Sequence, residues 1–251
     1  MSSDTDAAAE LLRTIARDFP AIGGPQPPTR AELQRALGAA SSWQLVDPRA
    51  VPGYEDAVAR GQIPTRDGSW HDAFNLLAFM AWPRAKAALH ARVLRCQGQR
   101  RTQGEKRRSR EEDALALVDE VALVVSGPAE LVARFDTHRS VSVLQSASGP
   151  GTDPVALAGM GAAVHEGLRV RWFGHALLEH LALRRPQVTA GVWTLVLEPG
   201  VTDDEALAAQ IEAGQFTAPC VSPGVPWPHA QVLAWVEARA YSTRTPFQKA
   251  T

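Results

Sequence analysis

The sequence predicts an α+β fold: a mostly helical body around a central buried helix at about residues 70–92, with a small, mainly antiparallel sheet. Three observations predict it. The stretch Trp70–Arg92 (WHDAFNLLAFMAWPRAKAALHAR) is apolar on most sides at helical period, the mark of a buried helix. Residues 29–32 (TRAE), 69–72 (SWHD) and 202–205 (TDDE) have the spacing of helix N-terminal caps. Strand-like runs are few and short, near residues 114–126, 168–173 and 188–198, so helix should exceed strand.

Within the central stretch, at ~100° per residue, His71, Asn75, Phe79, Trp82, Lys86 and Leu89 fall on one stripe. A histidine, an amide and a lysine on a buried strip each need a partner, because an unpaired buried polar group costs about 1–3 kcal/mol. Either they satisfy one another and the nearby loops, or they line a pocket. Pro83 removes one helical hydrogen bond, so the stretch is a kinked helix or a helix pair, and a large kink would part Lys86 from His71. Asp72 has two readings, a carboxylate serving the positive helix start or a functional group.

In chain order, residues 7–19 carry helical period and end at Pro20 and the GGPQPP run. Residues 1–48 are read as an N-terminal helical segment and 49–251 as the main globular domain. Thr29 opens a helix to about Ala40, residues 42–46 (SWQLV) suit a short strand, and a helical turn covers Tyr54 to Arg60 before the loop GQIPTRDGS. The basic run Arg95–Arg110 reads as a solvated or disordered loop, or as a patch that binds phosphate or nucleic acid by neutralising charge. It holds no aromatic residue on which a base could stack. DALALVDEVALVVSG looks like a β-hairpin turning near Asp119 and Glu120, although the turn lacks glycine and the second arm also suits a buried strand pairing elsewhere. GPAELVARFDTH is a helix with Pro128 in its first turn. The loop 146–154 and the small-residue segment ALAGMGAAVHEG lack the GK[ST] of a phosphate loop. LRVRWF suits a strand leading into the helix GHALLEHLALRR, which Pro186 stops. VTAGVWTLVLEP is a further strand, Thr202 opens a helix to about Ala213, and the tail is proline-rich, with Trp227, Trp235, Tyr241 and Phe247 as anchors.

Composition excludes little. With a formal charge of −1 and a pI near 6.7, no whole-molecule attraction to nucleic acid or anionic membrane is expected. The sequence shows neither a signal-peptide pattern nor a long apolar run, so a cytoplasmic protein is expected. Cys96 and Cys220, far apart and outside any CxxC, predict neither a disulfide framework nor a thiolate zinc site.

Candidate chemistry sits at two helix starts. His175 and Glu179 are four residues apart on one face, while His180 lies ~140° away, so the two histidines cannot chelate one metal from a straight helix. His175 with Glu179 supplies two ligands, an imidazole with its orienting carboxylate, or a local hydrogen-bonded pair. The expected catalytic set is His71, Asp72, Asn75, His175 and Glu179, with Asp113, Asp119 and Glu120 added by the hairpin. Arg66, Lys86 and Arg92 are expected to bind substrate. If the two helix starts converge, His71, Asp72, His175 and Glu179 suffice for zinc, iron or manganese. The expected function is an enzyme, such as a hydrolase, acting on a small polar or anionic substrate with or without a divalent metal. The alternatives are a nucleic-acid or polyanion-binding module using the 95–110 run, and a structural or partner-binding protein without catalysis.

Five blocks in one order, PTRDGSWHDAFN, PRAKAALHAR, DALALVDE, GHALLE and VPWPHAQ…AYSTRTPFQ, resemble a bacterial family of unknown function numbered three-zero-two-five, over about residues 50 to 250. The chain departs from that pattern with His90 where asparagine is usual, with Val93 where a histidine would stand, and with PGVPW in place of PGW. The resemblance implies a shared fold and a shared polar cluster. It implies no reaction.

Overall fold

The computed structural model describes residues 19, 21, 24, 26–38, 41–137, 169–182, 187–214 and 225–228. Thr29 and Glu32 form the expected capping box, and helix α1 runs Arg30–Leu37. Strand β1 (Gln44–Val46) pairs in parallel with β2 (Gln62–Pro64), with helix α2 (Tyr54–Val58) between them. This pairing bridges the expected domain boundary at residue 48.

Of the two forms expected for the central stretch, the helix pair is the one that forms. Helix α3 spans Trp70–Ala81 and α4 spans Pro83–Thr102, divided at Trp82, whose φ of −137° and ψ of 56° are not helical. Proline has no N–H to continue the ladder, but the break is bridged: the Trp82 N–H donates to Ala78 O at 2.9 Å, and Lys86 N–H to Trp82 O at 2.9 Å. The fully buried Trp82 indole donates to Trp172 O at 2.7 Å, fixing the bend against the sheet.

The basic run is corrected in part, because α4 carries it in helical form to Thr102 before a turn leads on. The first arm of the expected hairpin is likewise overturned, while the second is a strand that pairs elsewhere. Residues Arg110–Val121 form helix α5, and only Ala122–Gly127 form strand β3. The cause is local: Ser109 and Glu112 make a capping box, and Glu111, Glu112 and Asp113 place three carboxylates at the positive helix end.

Helix α6 (Ala129–Thr137), strand β4 (Arg169–Trp172), helix α7 (His175–Ala182), strand β5 (Gln187–Val196), helix α8 (Asp203–Ala213) and strand β6 (Val225–Pro228) complete the described chain. Strand order is β4-β3-β5-β6. The expectation of a mainly antiparallel sheet is corrected. The β1–β2 sheet is parallel, and so is the central β3–β5 pair of the larger sheet, with antiparallel partners only at its edges. Strand β3 therefore has an antiparallel neighbour in β4 and a parallel one in β5.

The main core lies where α4, α5 and α8 meet the sheet, and includes Trp82, Leu89, Leu115, Val118, Phe173, Trp193, Leu195 and Ile211. Cys96 is buried there as a free thiol, raised above its usual pKa by burial and then by Glu111. Cys220, the expected helix before Phe19, the segment 146–167 and the tail beyond residue 228 lie outside the described residues.

Candidate functional site

The N-terminal turn of α3, the start of α7 and the C-terminal end of α5 converge. His71 Nε2 and His175 Nε2 stand 2.9 Å apart, with their rings edge-on at 75°. Glu120 Oε2 lies 3.5 Å from His175 Nε2, and one ligand atom from each of His71, Glu120 and His175 falls within 4.8 Å of the others. Among the described residues this is the one His/Cys/Asp/Glu group with metal-binding spacing.

Each histidine has a carboxylate behind it. His71 Nδ1 donates to Glu179 Oε2 at 2.8 Å, because a carboxylate can only accept. Asp119 Oδ2 is 3.8 Å from His175 Nδ1, which has no hydrogen-bond partner although His175 is only 3% exposed. Burial, with Lys86 and His71 nearby, pulls the His175 pKa down to about 3 against the attraction of Asp119, so the ring is neutral at pH 7. The Glu120 approach is therefore no salt bridge. Burial raises the Glu120 carboxyl above its usual range, and the Asp119 and Glu179 charges add to this against the pull of His71 and Lys86.

Behind the histidines, Lys86 is fully buried. Its Nζ donates to an Asp119 oxygen and, at 2.9 Å, to Asn75 Oδ1, and it sits 4.8 Å from the Phe79 ring centre. Asn75 Nδ2 in turn donates to the Tyr54 hydroxyl at 2.7 Å. Burial favours protonated Asp119, but the Lys86 ammonium beside it outweighs burial and holds the carboxyl well below its usual range. Burial, reinforced by Asp119, raises the Tyr54 phenol well above its own.

Tyr54, His71, Asn75, Asp119, Glu120 and His175 line a cavity of about 370 Å³, with Glu55, Arg66, His90, Arg108 and Glu112 also in its wall. The sequence-predicted residues divide. His71, Asn75, His175, Glu179 and Lys86 are brought together across α3, α4 and α7. Asp72 lines the cavity, but its carboxylate holds Arg66 through both oxygens at 2.7 and 3.0 Å and accepts the Arg66 backbone N–H at 2.6 Å. Only half of the cap expected at Ser69 forms: Ser69 accepts from Asp72 N–H, while the Asp72 carboxylate goes to Arg66. Glu179 contacts His71, from a different helix, through 108 positions of chain. Arg92 faces elsewhere, binding Glu111 and Glu212 O and clamping α5 and α8 to α4.

Glu120 joins the histidines from a helix C-terminus that a hairpin reading hides, and Asp113 is exposed outside this cluster. Gly174 sets this junction. A Cβ there would lie 2.5 Å from Ala122 N and from Glu120 C, so α7 starts directly against the α5–β3 joint. Gly174→Ala is expected to displace Glu120 and His175 together and to lower the melting temperature by several degrees, since overpacking costs about 1–3 kcal/mol. Differential scanning calorimetry checks it.

The His175 shift also has a pH consequence. Between pH 6.5 and about 3 the unfolded chain binds a proton at this residue and the folded chain does not, so stability falls as pH drops through that window. The slope from this group is at most about 1.4 kcal/mol per pH unit. Urea titrations across that range should show a shallower slope for His175→Gln than for the parent chain.

No curated protein and no solved structure matches the chain significantly. Residues 44–222, more than half of the sequence, match the family described as Protein of unknown function (DUF3025). That segment contains every residue of the site from Tyr54 to Glu179, and the chain belongs to this family.

Proposed function

We propose that the protein is a metal-dependent enzyme, a hydrolase of small polar or anionic molecules, whose divalent cation is held by Nε2 of His71, Nε2 of His175 and the carboxylate of Glu120. The observation that carries this reading is the paired direction of the two imidazoles. Glu179 fixes the His71 proton on Nδ1, which leaves the Nε2 lone pair facing His175. If His175 carried its proton on Nε2, its Nδ1 lone pair would face the ionised Asp119 at 3.8 Å, two electron-rich atoms opposed in a buried place. The opposite tautomer points N–H toward Asp119 and presents a second lone pair to the first, next to Glu120.

Two lone pairs and a carboxylate around one point repel unless a cation joins them, and histidines backed by carboxylates are the usual second layer of a metal centre. Tetrahedral ligands at about 2.0–2.1 Å from an ion sit ~3.3 Å apart, a few tenths of an ångström wider than the 2.9 Å between the imidazoles. Two histidines and one carboxylate suit zinc, iron or manganese and leave a coordination position for water or substrate. An ion there activates water for attack or polarises the bond to be cleaved. Glu179 and Asp119 act as positioning residues, and Lys86 keeps Asp119 ionised. Elemental analysis of the purified chain tests the reading, with close to one transition-metal ion per chain expected; a chain that neither carries nor takes up zinc, iron or manganese would remove it.

A further inference from the structure

One wall of the cavity carries a hydroxyl whose direction follows from a chain of hydrogen bonds that can run only one way. The ammonium of Lys86 has donors and no lone pair, so Asn75 turns its oxygen toward Nζ, where Oδ1 accepts at 2.9 Å. That orientation commits Nδ2 of the same amide to donate to the Tyr54 hydroxyl at 2.7 Å. The reverse amide would set two donors against each other beside a fully buried charge. The Tyr54 oxygen therefore accepts, and its own O–H is left to donate. Among the described residues no group takes that proton.

The hydroxyl shares its space with the histidine cluster. Tyr54 is half-buried at the start of α2 and lines the cavity, and the His90 ring braces its own ring at 5.3 Å. Asn75 follows His71 by one turn on the same face of α3, a rise of ~6 Å. A second link ties Asn75 to the cluster, because Lys86 bonds both Asn75 and Asp119, and Asp119 stands 3.8 Å from His175 Nδ1. A ligand group that accepts from Tyr54 is thus about one helical turn along α3 from an ion at the cluster. Two groups a few bonds apart in one small molecule have that separation.

The surrounding charge says what the accepting group is. Burial, and then Asp119, push the phenol well above its usual range, with Glu55 and Asp72 adding to them, so the hydroxyl stays protonated and remains a donor. The carboxylates that oppose a phenolate also oppose a ligand carboxylate or phosphate at the same point. The cations of the wall do not reverse this: Lys86 is committed to Asp119 and Asn75, Arg66 to Asp72, and Arg108 is exposed. Pro48 and Pro64 in the same wall add no charge. An uncharged oxygen accepts the proton without meeting that repulsion.

We propose that Tyr54 is a substrate-binding residue that donates its O–H to a neutral carbonyl oxygen, a few bonds from the group that the His71–Glu120–His175 cluster holds. The substrate is then a small amide or ester that carries a second, uncharged carbonyl. This assignment rests on the hydrolase reading above and narrows its substrate to one that is neutral at the Tyr54 end.

The test is the affinity of the zinc-loaded full chain, and of its Tyr54→Phe variant, for three hydroxamates by isothermal calorimetry. Acetohydroxamate has only the metal-binding head, N-acetylglycine hydroxamate adds an amide oxygen one residue beyond it, and succinic monohydroxamate puts a carboxylate at that same place. The amide probe is expected to bind the parent chain about five- to tenfold tighter than acetohydroxamate, the gain that one hydrogen bond supplies. Tyr54→Phe is expected to remove that gain and to leave acetohydroxamate binding as it was, and the carboxylate probe should gain nothing. No gain from the amide in the parent, a gain kept in Tyr54→Phe, or a carboxylate held tighter than the amide overturns the assignment and leaves the metal centre standing. Should Tyr54→Phe not fold, the ranking of the three probes on the parent decides. A chain that takes up no zinc and binds none of the three removes the hydrolase reading, and this inference with it.

Discussion

His71→Ala and His175→Ala are each expected to reduce bound divalent metal from about one ion per chain to a small fraction of that after dialysis. Two imidazoles and one carboxylate give three protein ligands, and losing one leaves a site that competes poorly with buffer. Glu179→Gln should weaken the metal by about 10–100-fold without abolishing it, because it removes only the acceptor that fixes the His71 proton. Asp72→Ala should leave metal affinity almost unchanged, since that carboxylate is occupied by Arg66. Competition with a chromogenic chelator gives the affinities. The structural alternative, in which the histidines only stitch helices together, predicts lower melting temperatures for the same variants with no metal in any of them. A double His71→Ala/His175→Ala variant that still holds its ion would place the centre elsewhere.

Lys86→Met is expected to cost about 3–5 kcal/mol of folding stability, because it leaves the Asp119 carboxylate buried without its cation. Adding Asp119→Leu should return much of that loss, as replacing both partners of a buried pair by apolar groups is often neutral or stabilising. The pH dependence follows from the same pair. Asp119 has a folded pKa below its unfolded one, so its contribution is complete above the ordinary aspartate range and is lost as pH falls toward the folded value. Urea unfolding of the single and double variants at neutral pH gives the coupling directly. A single variant losing less than about 1 kcal/mol would mean that the ammonium is solvated and that Asp119 has other support.

Much of the site was legible in residue types and spacing. The stripe through His71, Asn75 and Lys86 predicted groups that need partners, and across the Trp82–Pro83 break Lys86 still reaches Asn75 at 2.9 Å. The spacing predicts Glu179 as an orienting carboxylate for His175, four residues away. Yet its hydrogen bond at 2.8 Å is with the imidazole of His71, 108 positions away. The alternation of apolar and polar residues in DALALVDEVALVV predicts a hairpin turn at Glu120, a pattern that a half-buried helix rich in alanine and leucine also meets. The deciding signal was Ser109 with Glu112, a capping box as plain as the one at Thr29.

By itself the sequence determined what local physics decides: where most helices start, that Pro83 divides the buried stretch, that helix exceeds strand, and which histidines and lysine could not be left alone. Cap hydrogen bonds, the missing proline N–H and apolar periodicity act within a few residues, so they are written in order along the chain. Tertiary structure alone decided that His71 meets His175 across 104 positions, that Glu120 and not Asp72 faces them, that Arg92 clamps helices away from the cavity, and that β3 and β5 run parallel. Those outcomes depend on which helix faces bury against which, a choice made by the summed packing of the whole core and recorded in no single segment.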